Sequence, residues 1–362
     1  MIEVFSNGKK FSGFSSVSVV KALDSFSATY SLSVFKKRKN DGTDDFFLVP
    51  IFPGDEIEVR LDGETVIKGF NDATTPSFNA NSIGCNISGR DMCCDAVDCP
   101  VERLDYSNKK VDEIVRAVCS EFGLVFSGAK GADLGGPLKK FSADPGATGY
   151  EVMIAACKER RLMPVGDGVG HVHIVGSNFE SSTDDLVQGK NILAASPVFS
   201  NKDRRSKYTV VASSDPECKT FAVATDDGVS RNRPWLLCDE RFGSMESCAA
   251  RAMWEAKHRQ ASSGTMNVTV DGWRQKNGGG LWRPGLLVNV RIPAYFGDEI
   301  REMLINRVTY TLSGEGSVCQ MVLVDPDTYA PMPTVQAKQR AKLPKAKNDI
   351  WASVRKQTGS KL

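Results

Sequence analysis

Residues 69–100 read GFNDATTPSFNANSIGCNISGRDMCCDAVDCP, and the fold turns on whether this stretch is chemistry or architecture. Its middle, "SIGCNISGRD" (82–91), alternates apolar and polar residues as a half-buried strand does. Its end, residues 87–100, crowds three cysteines and three aspartates together, which raises a metal or redox centre as the first reading. Structural zinc pairs two cysteines two to four residues apart with a second such pair or with two histidines. Cys93, Cys94 and Cys99 have the spacing CC-x4-C, and the next cysteine, Cys119, lies twenty residues on in a helical pattern. No C-x-x-C offers a redox pair. The cysteines are expected to be packed thiols, and no metal or cofactor is expected.

Upstream of this stretch the chain reads as β. "FSSVSVVKAL", "FSATYSLSV" and "DEIEVRLDGETVIKGFND" alternate with period two, and Asp62-Gly63 is a two-residue hairpin turn. Downstream the period changes. Val111, Ile114, Val115, Val118 and Phe122 recur at helical spacing, with Gly123 as the stop. Thr148 and Glu151 form a capping box that opens a second helix, expected to run to about Arg161, and "GHVHIV" (170–175) reads as a strand. From about residue 190 strands return ("SKYTVVASS", "KTFAVATDD", "TMNVTVDGW", "LLVNVRIP" and a hairpin around Gly314–Gly316). One helix interrupts them at 244–260, with Met245, Cys248, Ala249, Ala252 and Ala256 on a stripe. The expected fold is mainly β with α+β parts: two tube-like β-barrel domains at 1–99 and 185–332, a small α/β domain at 100–184 between them, and a basic tail at 333–362.

Few residues are placed for catalysis. His171 and His173 share one face of a strand but have no third ligand near in sequence, His258 being in a distant helix. No G-x-S-x-G elbow is present, and "GAKGADLGG" and "GDGVG" match no phosphate-binding pattern. "DGWRQKNGGGLWRPG" (271–285) stands out instead. Trp273 and Trp282 bracket a glycine-rich loop holding Arg274, Lys276 and Arg283, and Trp and Arg are enriched where proteins meet. The same residues also suit the end of a barrel. Trp254, opposite the apolar stripe of its helix, is a comparable candidate.

The net charge of +2 hides an asymmetry. Residues 331–362 carry +7, from Lys338, Arg340, Lys342, Lys345, Lys347, Arg355, Lys356 and Lys361 against Asp349, which leaves −5 on the rest. An acidic surface on a partner protein is the simplest occupant for such a tail, with nucleic acid the other electrostatic option. No apolar run approaches the roughly 20 residues that cross a bilayer, and the N-terminus has no secretion pattern. Synthesis in a cytoplasm, with reduced thiols and no stable membrane insertion, is expected.

Taken together, the opening stretch, with G-x-x-D at 69–72, S-G-R-D at 88–91 and V-D-x-P at 97–100, resembles the Mu-type phage baseplate hub proteins. "VDEIVRAVCSEFGL", "GYEVMIAACKERRLMPVGDGVGHVHI" and the run from "AARAMWEAKHRQ" through its G-W and L-W-x-P-G landmarks follow in that family's order, over about residues 1–330. The three cysteines depart from the family pattern. The resemblance implies a non-enzymatic, homotrimeric ring similar in plan to the phage T4 tail hub and the hub part of type VI secretion spikes. It would join a hexameric tail tube to a trimeric central spike, contact baseplate wedge proteins, and surround a DNA path without binding DNA specifically. Such a protein would be assembled in the bacterial host cytoplasm and reside in the virion tail. Arg90 and Asp91 are expected to make charge-assisted hydrogen bonds where the first β region meets the α/β region. Trp254, Trp273, Trp282 and Arg283 are expected at interfaces, and the basic tail on a spike or wedge. A tail-associated cell-wall hydrolase and a DNA-binding tail protein are the competing readings. Neither has a motif in the chain.

Overall fold

A computed structural model describes residues 2–37, 49–78, 82–212, 219–239, 244–314, 316–330 and 332. The chain divides into two compact units, one of residues 1–196 with 266–323, the other of 197–265 with the residues after 323.

The first unit opens with seven strands: β1 (Ile2–Ser6), β2 (Lys9–Phe11), β3 (Ser16–Ala22), β4 (Ser25–Lys37), β5 (Glu56–Leu61), β6 (Glu64–Phe78) and β7 (Ser82–Asp91). Their alternation sends Val17, Val19, Leu32, Ile57, Val59, Ile67 and Ile87 into one core. Asp62 and Gly63 take φ of 53° and 83°, as a type I′ turn requires, and close β5 onto β6.

An α/β body follows: α1 (Cys94–Asp98), β8 (Asp105–Lys109), α2 (Val111–Glu121), β9 (Val125–Lys130), β10 (Leu138–Ser142), α3 (Gly149–Lys158), β11 (Met163–Gly166) and β12 (His171–Val175). It has a separate core, where the expected stripe of α2 (Val111, Ile114, Val115, Val118) meets Val152, Met153 and Ala156 of α3. The capping box of α3 is present, with Glu151 N–H donating to Thr148 Oγ1 at 3.3 Å and Thr148 N–H to the Glu151 carboxylate at 2.9 Å. The helix ends at Lys158 rather than Arg161. Arg161 takes φ of 61°, a left-handed conformation that no helix interior holds.

Short strands β13 (Glu180–Ser181) and β14 (Leu186–Val187) lead to β15 (Ile192–Phe199). The second unit contains β16 (Lys207–Ala212), β17 (Phe221–Thr225), β18 (Pro234–Asp239) and α4 (Met245–Ala261). Cys248 and Ala252 of α4 pack on Val210 and Ala212 of the central strand β16. Met245, placed on the buried stripe by its spacing, is exposed. Arg251 and Glu255 are buried in its stead, paired at 2.5 Å, and Arg259 reaches the same carboxylate at 3.0 Å. Mutual neutralisation lets charged side chains occupy the inner face.

Returning to the first unit, the chain forms β19 (Gly264–Asp271), β20 (Leu286–Arg291), the short α5 (Pro293–Phe296), β21 (Arg301–Ser313) and β22 (Gly316–Val324). β21 pairs with β3, from Arg307 opposite Ala22 to Leu312 opposite Val17. The result is one 14-stranded sheet in the order β15-β19-β22-β21-β3-β4-β7-β6-β5-β1-β2, with β20 also on β21 and β13 and β14 on β20. This corrects the expectation of two β-barrels. Among the described residues no sheet closes on itself, and the early and late strands share a single sheet and core. Alternation in sequence reports which face a strand buries, not which strand pairs with its edge.

Candidate assembly surfaces

The S-G-R-D element closes β7 where the sheet hands over to the α/β body. Arg90 Nε donates to Asp72 at 2.8 Å and Nη2 to Asp98 at 2.8 Å, so one guanidinium ties β6 to α1. These contacts hold the Asp98 carboxyl below its usual range and raise the guanidinium further. Asp91 is fully buried and accepts from Ser27 Oγ at 2.6 Å and Cys93 N–H at 3.0 Å. Burial pushes its carboxyl up to about 6, against those hydrogen bonds and the Lys21 charge. Arg90 and Asp91 do not pair with each other; Arg90 bonds Asp72 and Asp98, and Asp91 bonds Ser27 and the Cys93 N–H. The two landmark glycines have a steric cause. A Cβ on Gly69 would lie 2.0 Å from the Arg90 carbonyl oxygen, and one on Gly89 2.0 Å from that of Phe70. G-x-x-D and S-G-R-D are two halves of one interlock, built around a register shift between Asn71 and Ala73.

The cysteine cluster is not brought into ligand geometry. Cys93 and Cys94 are buried while Cys99 is exposed, and no disulfide forms among the described cysteines. Burial raises the Cys93 thiol and pushes Cys94, Cys119 and Cys157 up to about 12, which keeps them protonated and inert. Among the described residues no group of three or more His, Cys, Asp or Glu could hold a metal ion. His171 and His173 lie on the half-buried face of β12, and His171 Nδ1 is 2.8 Å from Asp167.

A cleft of about 510 Å³ in the first unit is lined by Lys21, Glu64, Asp167, Glu180, Arg283 and Tyr310, among others. Its charges are answered within the chain. Lys21 Nζ donates to the Asp167 carbonyl at 2.7 Å, Arg274 meets Glu64 at 2.6 Å, and Arg283 pairs with Glu180. Burial lowers the Lys21 ammonium, with Asp167, Asp91 and Glu64 opposing the shift.

Both tryptophans of the 271–285 loop are core residues, 3% (Trp273) and 2% (Trp282) exposed. Trp273 Nε1 donates to the Thr311 carbonyl at 3.1 Å and its ring lies 5.2 Å from that of Tyr310, whose hydroxyl donates to the Trp282 carbonyl. Buried Asp184 accepts from the Lys276 and Asn277 N–H groups, and Gln275 Oε1 accepts from Thr183 N–H at 2.8 Å. Of the three residues of this loop expected at an interface, only Arg283 reaches the surface. Trp254, on α4, is half-buried. Its Nε1 donates to the Ala330 carbonyl at 2.9 Å, and Arg251 lies 4.8 Å from its ring. The tail cations Lys338, Arg340, Lys342, Lys345, Lys347, Arg355 and Lys356 lie outside the described residues.

Three family models match the chain. The N-terminal domain of Mu phage baseplate assembly protein GpP-like matches residues 1–91, the second domain of baseplate hub protein gp44-like matches 93–176, and the fourth domain of Mu phage baseplate assembly protein GpP matches 244–332. Together they span well over half of the chain. It belongs to the Mu-type phage baseplate hub proteins. The baseplate hub protein gp44 of Escherichia phage Mu is 27% identical over 336 residues, 89% of this chain and 86% of the relative. The 43 kDa tail protein of prophage MuSo2 from Shewanella oneidensis is 28% identical with a TM-score of 0.81, over 92% of this chain and 99% of that one. The fold extends to the E. coli c3393 protein, a type VI secretion component, at 11% identity and a TM-score of 0.54, over 94% of this chain and 80% of that one.

This hub chain is therefore a structural component of the virion tail baseplate and not an enzyme. The first two matched domains meet at residue 92, directly after the Arg90–Asp91 junction. Sequence reasoning reached Arg90 and Asp91 but missed Asp72 and Asp98, the partners of Arg90, and Ser27, the partner of Asp91, although the aspartate of G-x-x-D was an available signal. Asp184 and Gln275, which order the tryptophan loop, carried no signal at all.

Proposed function

We propose that three copies of this hub chain form a ring that adapts the hexameric tail tube to the trimeric spike and surrounds the path of DNA. The observation that carries this reading is the β3–β21 pairing, which sets the early and late β regions side by side in one sheet. Three such chains offer six β regions to a sixfold tube while keeping threefold symmetry toward a spike. The charge of −5 on residues 1–330 suits a lumen that lets DNA pass without gripping phosphates. In this reading the ring also meets the baseplate wedges, and residues 334–362 attach it to an acidic spike or wedge surface. The working division of the chain is 1–99, 100–184, 185–332 and 333–362.

Native mass measurement of complexes reconstituted from purified proteins tests the adaptor. The expected stoichiometries are six tube subunits to three hub chains, and three hub chains to three spike chains. Equal numbers of tube and hub chains in the first complex would overturn it. Spike attachment that survives removal of residues 334–362, at raised salt too, would remove the role given to the tail.

A further inference from the structure

In the second unit, the loop that leads into β16 is held by arginines. Arg233 donates from Nη1 to the Asn201 carbonyl at 2.5 Å and from Nη2 to the Lys202 carbonyl at 2.7 Å. Arg205 Nη1 donates to the Lys202 carbonyl at 2.9 Å and the Arg204 carbonyl at 3.0 Å, and Arg259 Nη1 to the Asp203 carbonyl at 3.2 Å. Arg204 meets a carboxylate instead, that of Asp226, at 2.6 and 2.8 Å. A carbonyl oxygen satisfies a guanidinium donor without cancelling its charge. Arg205 and Arg233 therefore keep their full positive charge. Arg205 Nε and Nη2, one edge of its guanidinium, have no partner among the described residues.

Strand register gathers more cations at the same place. Lys207, the first residue of β16, lies opposite Thr225 at the end of β17 and Pro234 at the start of β18. The Ser206 N–H donates to the Arg233 carbonyl at 3.1 Å and the Asp226 N–H to the Ser206 carbonyl at 3.2 Å. Residues 201–207 and 226–233 thus make up one end of this three-stranded sheet. They hold six cations (Lys202, Arg204, Arg205, Lys207, Arg231 and Arg233) against three aspartates, a net +3. Lys202 and Arg231 are exposed and Lys207 is half-buried, and none of the three makes an ion pair among the described residues. Residues 213–218 and 240–243, outside the described residues, follow the opposite ends of β16 and β18 in sequence. The residues after 330 carry +7 and bring no charge to cancel the patch.

We propose that this end of the sheet docks an acidic segment of a partner protein, with Lys202, Lys207 and Arg231 receiving its carboxylates and the open edge of Arg205 offering a fixed two-donor fork. Such a segment supplies the charge that the patch lacks. A guanidinium already fixed by backbone carbonyls loses less freedom on binding a carboxylate than a mobile one. Two aspartates decide between polyanions. Asp203 and Asp227 are exposed and make no ion pair among the described residues. DNA brings one phosphate per roughly 1.7 Å of its axis and cannot avoid them, whereas a protein segment can set its acids between them. The proposal is independent of the ring and of the tail contact.

The test uses the full-length chain with its eight cations after residue 330 replaced by Gln, so that the tail does not compete. The probes are a synthetic Glu-rich peptide and a short DNA duplex of equal charge. The expected result is salt-sensitive peptide binding that slows hydrogen exchange across 201–207 and 226–233. Lys202→Glu/Lys207→Glu/Arg231→Glu should weaken that binding by at least about tenfold at an unchanged melting temperature. If this variant melts lower, Lys202→Gln/Arg231→Gln, which changes only exposed side chains, should still weaken it by about threefold. No peptide binding, protection confined to other residues, or full binding by a folded variant overturns the docking surface. Tighter binding of the duplex than of the peptide overturns the protein partner and puts nucleic acid in its place.

Discussion

The tryptophan loop at 271–285 and the ribbon tip formed by β4, β6 and β7 make an instructive pair. The loop has the composition of an interface, yet its aromatic rings lie inside the chain's own core, with the Trp273 ring donating to the Thr311 carbonyl and the Tyr310 hydroxyl donating to the Trp282 carbonyl. The ribbon tip has unremarked phenylalanines in a Ser/Thr-rich context, yet Phe78 is left 82% in solvent. Residue type reports what a side chain can do. Register decides whether the chain has already used it.

Trp282→Ala should show the largest difference between the two regions. Loss of a buried indole leaves a cavity in the main core and should cost about 3–5 kcal/mol, read as a drop in the urea midpoint. A loss below about 1 kcal/mol would return Trp282 to the surface role suggested by its composition. Asp184→Ala, which orphans the Lys276 and Asn277 N–H groups, should cost about 1–3 kcal/mol and raise hydrogen exchange across 274–281.

The junction gives a pH signature. The Asp91 carboxyl titrates near 6 in the fold and near 3.8 when unfolded, so the folded chain holds that proton more tightly. The stability it contributes is present below about pH 4 and is lost as pH rises through about 6, a span of about 2–3 kcal/mol. Asp91→Asn should flatten stability over that window. An unchanged slope would place its origin elsewhere. Arg90→Ala, which breaks two partly exposed ion pairs, should cost no more than about 1 kcal/mol. Phe78→Ser should change stability by less than about 0.5 kcal/mol, the smallest effect on folding.

Much of the fold was legible because local patterns carry local physics. The helical stripe of α2, the capping box at Thr148 and Glu151 and the Asp62-Gly63 turn each specify an element whatever surrounds it. The β3–β21 pairing was not legible, since nothing in "VSVVKA" or "INRVTYTL" names its partner across nearly three hundred residues. The buried face of α4 was read in part: Cys248, Ala252 and Ala256 are buried as expected, but Met245 is exposed, and Arg251 and Glu255 look like solvent residues until their pairing is seen. Arg90 and Asp91 were found through their motif, while Asp72 needed the register of β6 against β7 and Asp98 needed the placement of α1.

The most direct test of the account is the native mass of the purified full-length chain in solution. Three times the chain mass of 39.4 kDa is the predicted result. A stable monomer that stays monomeric with spike protein would contradict it.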